Sequence, residues 1–374
     1  MATTSALRGI AALAVLGGLL PAAPSAGGPG PGYFASDNVT YVGTFPLNTD
    51  SAGAQVLDGY MYLTTARGLM IYSLEDPENP ALLSFLPLLQ QPQFSEEDPD
   101  GNGRILLVGG LDAAAPLYVI DVEDKSNPSI LAEVPGANEH TISCVLDCRW
   151  AYGSGGVIVD LRDPANPEIA GNWAEGTPAP NGGHDVTEVA PGLVVTSTNP
   201  IMLLDARADP ARPKVIALGQ HTDQRFIHSN LWPRGAKDRY LLVGGETSGP
   251  FCGEEDSGAF MTWDTKGWRR TRTFEMVDEY RVTDGLPTDG NALVHTFCTH
   301  WFDTRPGYRN GGMVAMAWYE HGTRLLEVSR RGRISEAGYF VPVGGSTSAN
   351  YWVTDEVLYA VDYQRGLDIL RVAR

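Results

Sequence analysis

The sequence predicts an all-β chain folded as a single seven-bladed β-propeller, closed by an N-terminal strand that completes the last blade. Three observations predict it. One phrase, a short β-rich run followed by an acidic residue and a turn, recurs seven times in the 374 residues. Forty-three glycines and 26 prolines punctuate the chain, well above ordinary usage, while 43% hydrophobic residues still suffice for a full core. Short apolar runs, too brief for helices, precede and follow the copies.

The phrase occupies 69–80, 117–128, 157–167, 201–210, 259–264, 324–328 and 366–372. Upstream of each copy lies another run, such as Tyr60-Met-Tyr-Leu-Thr64 or Leu193-Val-Val-Thr196, and downstream of six copies a third, such as Val215-Ile-Ala-Leu218. With one more strand ahead of each, the unit is four strands in about 40 to 50 residues, the period of a propeller blade. The seventh unit stops at Arg374 before its outer strand, and residues 39–47 look like the missing one. Pairing them there removes two exposed sheet edges. Residues 38–374 are therefore read as the propeller, with no second domain.

Leu117-Tyr-Val-Ile-Asp121 and Val157-Ile-Val-Asp160, each followed by a turn ending in Asn-Pro, resemble the LVIVD repeat of exported bacterial propellers. The resemblance covers essentially the whole chain after its first residues, is clear in units one to four and fades in units five to seven. It implies the fold and little chemistry, since most members of that family lack an assigned activity.

Residues 1–26 have the layout of a secretory signal: Arg8, an apolar run from Gly9 to Leu20, then the small-residue stretch Pro21–Ala26, with cleavage expected between Ala23 and Gly27. Residues 27–37 read as a flexible leader, and no later segment is long and apolar enough to span a membrane. The expected location is secreted or extracytoplasmic. Four cysteines there suggest two disulfides, with Cys144–Cys148 and Cys252–Cys298 favoured over the crossed pairings. The alternative for Cys298, two residues before His300, is a thiolate metal ligand. A net charge of -18 without a basic tract excludes nucleic acid as a partner.

Seven histidines are present, and four share one phase of the repeat: His140, His184, His228 and His300, at the start of the first strand of units three to six. The intervals 140 to 184 and 184 to 228 are both 44 residues. First strands of blades line the central channel, so equal phase means equal height about one axis. Neutral imidazoles converging there suit copper, zinc or iron. Glu139 and Asp185 flank two of them as candidate catalytic proton-transfer groups. In units seven, one and two the phase carries 346–350, Gln55 and Gln93. The alternative is a channel lined with polar residues that merely bind water. His221 and His295 read as surface residues and His321 as a turn residue; Trp232, Trp301, Trp318 and Tyr319 read as core or as a wall over the channel mouth.

Asp98, Asp100 and Asn102 alternate around a glycine turn like the first half of a calcium loop, although Gly109 stands where the closing glutamate belongs. The Gly-x-Ser-x-Gly pattern is broken at Gly153, and no phosphate loop exists. Long connections at 246–258 and 288–299 would overhang the histidine face. The expected function is an exported metal-dependent enzyme acting on a small molecule by redox or Lewis-acid chemistry. The layout is also similar to selenium-binding protein and methanethiol oxidase propellers, whose sequence motifs are not matched. The alternative is a non-catalytic propeller engaging a protein partner in the cell envelope.

Overall fold

Each repeated phrase forms the third strand of an antiparallel four-stranded meander. The computed structural model describes residues 32–45, 51–88, 97–110, 115–219, 226–247, 258–282 and 298–374. Its strands run inner to outer within each unit, as in unit three: Ile142–Val145, Trp150–Gly153, Val157–Asp160 and Glu168–Asn172. The third strands are buried on both faces, as at Leu117–Ile120 and Ile201–Leu204. That is why these runs are continuously apolar rather than alternating.

The recurrent acidic residue caps the turn leaving that strand. Asp121, Asp160, Asp205 and Asp264 each accept, through Oδ1, the backbone N–H two residues on, at 2.8 to 3.1 Å. The Asp of the following turn repeats the device, with Asp76, Asp124, Asp163 and Asp209 accepting at 3.0 to 3.2 Å. These local bonds hold the tight turns without help from the core.

An apolar cluster fills each contact between successive units. Ile71 meets Leu106 and Tyr118 between units one and two, and Val119 meets Ala151 between two and three. Ile158 meets Met202, Leu203 meets Leu241, and Phe260 meets Val314 across the next three contacts. Leu325 packs with Leu358 between six and seven, and Val361 with Leu63 between seven and one. The outer strands of units four and five also touch, through the parallel pairs Leu218↔Thr273 and Gly219↔Phe274.

Val39–Phe45 pairs antiparallel with Gly366–Val372, Val39 opposite Val372 and Phe45 opposite Leu367, so chain start and chain end share one sheet. The leader expected over 27–37 is corrected in part: Tyr33–Ala35 is a strand paired with Phe340–Pro342 of unit six. Tyr33 packs there against Tyr41 and Phe340. The signal segment, Gln93, His221, Cys252 and His295 lie outside the described residues. Cys144 and Cys148 form a disulfide. Cys298 is disulfide-bonded too, which removes it as a thiolate ligand. No helix among the described residues is long and apolar enough to cross a membrane.

Inner strands carry buried carboxylates that reach across to the next unit. Asp303 accepts the Trp352 N–H at 2.9 Å and the Thr304 N–H at 2.6 Å, yet burial lifts it to about 6. A raised carboxyl binds its proton more tightly when folded, so the stability it contributes is complete below about pH 4 and lost as pH rises through about 6. Relative to Asp303→Asn, the wild type should therefore lose on the order of 2 kcal/mol between pH 4 and 7, read from urea melts across that range.

Candidate metal centre

His140, His184, His228 and His300 enter the same pore from units three to six. Neighbouring rings follow one another closely: 5.0 Å between the centroids of His140 and His184, 3.7 Å between His184 and His228, and 4.2 Å between His228 and His300. All four Nε2 atoms face one oxygen, Oε2 of Glu97. The distances are 3.2 Å from His140, 3.8 Å from His184, 3.6 Å from His228 and 3.2 Å from His300.

Glu97 was not among the residues singled out in the sequence. It lies 43 residues before His140, one short of the 44-residue interval, and so holds the unit-two place of the same phase, which had been given to Gln93. Local sterics fix it: a Cβ on Gly53 of unit one would fall 1.7 Å from the Glu97 carbonyl oxygen, so only glycine lets this backbone approach. Trp301 Nε1 donates to Oε2 at 3.2 Å, and the Tyr363 hydroxyl donates to Oε1 at 2.9 Å.

The outward ring nitrogens are set by the neighbouring blade. His184 Nδ1 lies 3.2 Å from the His228 carbonyl oxygen, and His300 Nδ1 lies 2.6 Å from that of Ser348. A carbonyl only accepts, so in both rings Nδ1 carries the hydrogen and Nε2 is the atom left to bind inward. Burial, then His228, holds His184 well below the ordinary imidazole range, against the pull of Glu97. Burial, then His300, lowers His228. Burial opposes charge on His300 as well, but the Glu97 carboxylate outweighs it and raises the ring. Burial would likewise raise Glu97, but His300 and His140 hold it well below the usual carboxylate range.

An ionised carboxylate thus sits among imidazoles of which at least two are neutral. The neutral His184 turns a lone pair, not a proton, toward Glu97. His228 is fully buried, and both its ring nitrogens lack a hydrogen-bond partner among the described residues. Lone pairs facing a carboxylate repel unless a cation lies between them, and unmet buried nitrogens are costly. The donor set fits a divalent metal. Ligand atoms of Glu97, His228 and His300, and of Glu97, His140 and His184, lie within 4.8 Å of one another in two groups that could hold an ion. Imidazole and carboxylate donors without thiolate match zinc, iron or copper(II). The side chains of His140 and His184 are 13% and 11% exposed against 0% and 2% for His228 and His300, so solvent reaches the centre from units three and four.

The carboxylates flanking the histidines are engaged elsewhere. Glu139 Oε2 accepts the Gly155 N–H at 2.9 Å, in the hairpin of its own unit. Asp185 Oδ2 takes Thr187 Oγ1 and Asn230 Nδ2, both at 3.0 Å, and Ser197 Oγ at 3.3 Å. The carboxylate that meets the imidazoles is Glu97. The residues of the candidate calcium loop have local partners too. Asp100 accepts Gln55 Nε2 at 2.6 Å and the Cys144 N–H at 2.8 Å, and Asn102 Oδ1 accepts the N–H groups of Arg104 and Ile105, which makes a hairpin turn of the segment. Of the four aromatics, Trp232 and Trp318 are core. Trp301 reaches Glu97, and the Tyr319 ring lies 4.8 Å from His300. His321 sits in a turn, fully buried.

No protein-family model matches the chain, and the LVIVD resemblance is not confirmed by one. No curated protein matches it either. Among solved structures it is similar to YCF48 bound to D1 peptide, with a TM-score of 0.54 and 11% identity over 91% of this chain and 97% of that one. YCF48 is a β-propeller, and the likeness supports the propeller fold alone.

Proposed function

We propose that the protein is an exported metalloenzyme that acts on a small molecule at the His140, His184, His228, His300 and Glu97 centre of a seven-bladed propeller. The observation that carries it is the convergence of four Nε2 atoms on one carboxylate oxygen, at 3.2 to 3.8 Å, with lone pairs that call for a cation. Seven four-stranded meanders and the sheet shared by chain start and chain end support seven blades. The Cys144–Cys148 disulfide is consistent with export.

A bound zinc, copper or iron ion would supply Lewis-acid or redox chemistry. The chain's own residues do the rest. Carbonyls of the next blade fix the His184 and His300 rings, Trp301 and Tyr363 hold the two oxygens of Glu97, and partial exposure at His140 and His184 admits a small substrate. Glu139 and Asp185 remain candidates for proton transfer only if substrate binding frees them from their present donors.

The test is metal analysis of protein purified without chelator, beside His184→Ala and His228→Ala. Stoichiometric metal in the wild type, lost in both variants while they stay folded, supports the reading; a metal-free, fully folded wild type removes it. The second reading, a propeller that binds a protein partner, is favoured by the peptide seen on YCF48. It predicts the metal-free result.

A further inference from the structure

Resting on that reading, we propose that the centre holds a second divalent cation, bound by Glu246, His184 and His228 beside the position at Glu97. Ligand atoms of these three residues lie within 4.8 Å of one another, a group that contains neither Glu97 nor His140 nor His300.

His228 is the observation that points to two ions. Its side chain is fully buried, and neither ring nitrogen has a hydrogen-bond partner among the described residues. The anchored rings, His184 and His300, spend Nδ1 on a carbonyl and keep one nitrogen for a ligand. His228 has both nitrogens uncommitted, and one ion cannot use both; with its ring proton released to solvent, the imidazolate bridges an ion on each side.

Glu246 supplies the charge for the second position. The Tyr319 hydroxyl donates to its Oε1 at 2.8 Å, which orients the carboxylate and leaves Oε2 available. Metal–ligand bonds of about 2.0 to 2.2 Å keep the donors of one ion within roughly 4.4 Å of each other. Glu97 groups with His228 and His300, and Glu246 with His184 and His228, so each carboxylate serves its own cation, with the one free nitrogen of His184 on the Glu246 ion and His228 shared between the two. A divalent first-row metal fits both positions, because each offers imidazole nitrogen with one carboxylate.

The test strips the full-length protein with chelator, loads it with Zn2+ alone, dialyses it against a weak competing chelator and counts ions per chain. Two ions are expected in the wild type and one in Glu246→Gln, with Tyr319→Phe, which keeps the carboxylate, retaining two. One ion in both wild type and Glu246→Gln overturns the second position and leaves the Glu97 centre standing, as does an unchanged count of two in Glu246→Gln. No ion in the folded wild type overturns both. Copper(II) alone gives a second readout: spin coupling in the electron paramagnetic resonance of the wild type, absent from Glu246→Gln at equal loading.

Discussion

Glu97→Gln is expected to weaken metal binding at the histidine centre by at least about a hundredfold while leaving the metal-free fold as stable as before, or more so. Both halves follow from one inversion of polarity. The native carboxylate is acceptor-only, and it faces imidazole nitrogens of which His184 and His228 are held neutral. Without a cation the lone pairs of these two rings repel the carboxylate, although His300 and His140 keep it ionised. A glutamine amide turns N–H donors toward the same lone pairs, so the empty site gains hydrogen bonds that it lacked. A cation arriving there would meet the amide dipole in place of a full negative charge. Equilibrium dialysis reports the first effect, and urea melts of chelator-treated protein the second. Gly53→Ala should also lower affinity, because its Cβ would displace the Glu97 backbone. Wild-type affinity in Glu97→Gln would show that the ion, if bound, sits elsewhere.

Removing residues 1–45 is expected to abolish cooperative unfolding, whereas removing residues 1–32 leaves the melt unchanged. The longer deletion takes away Val39–Phe45 and exposes the full edge of Gly366–Val372. It also pulls Val39 from the cluster that joins Leu325, Phe340, Leu358 and Leu370. That seam holds the last unit to the sixth. Domain stabilities are about 5 to 15 kcal/mol, so a missing strand with its core contacts consumes most of the total. Calorimetry of both truncations checks this. A two-state transition in the longer deletion, at the wild-type temperature, would mean that the sheet shared by chain start and end is dispensable.

The fold was legible because its signals are local. Capping at Asp160 or Asp205 and double-sided burial at Leu117–Ile120 write the same phrase into every unit. The histidine phase was legible for the same reason, since a 44-residue interval survives translation into space as a turn about the pore. Glu97 was not. The inner strand of unit two is only Asp100–Gly101, too short to show an apolar pattern, and the phase slips by one residue. Glu139 and Asp185 show what adjacency leaves open: neighbours along an extended chain point to opposite sides, and here both carboxylates are held by donors away from the imidazoles. Asp100 and Asn102 have the spacing of a calcium loop, and spacing does not reveal that turn amides also bond their oxygens.

The anchoring of rings by carbonyls makes the inner wall a relay. Thr141 Oγ1 donates to the His184 carbonyl at 2.5 Å, His184 to that of His228, Ser229 Oγ to that of His300 at 2.9 Å, and His300 to that of Ser348. The main chain of His228 is thus the fixture for the His184 ring, and those of His184 and His300 hold the residue that follows the preceding histidine. Transplanting a single blade from a homologue would misalign two positions at once, so any redesign of this pore must exchange adjacent blades together.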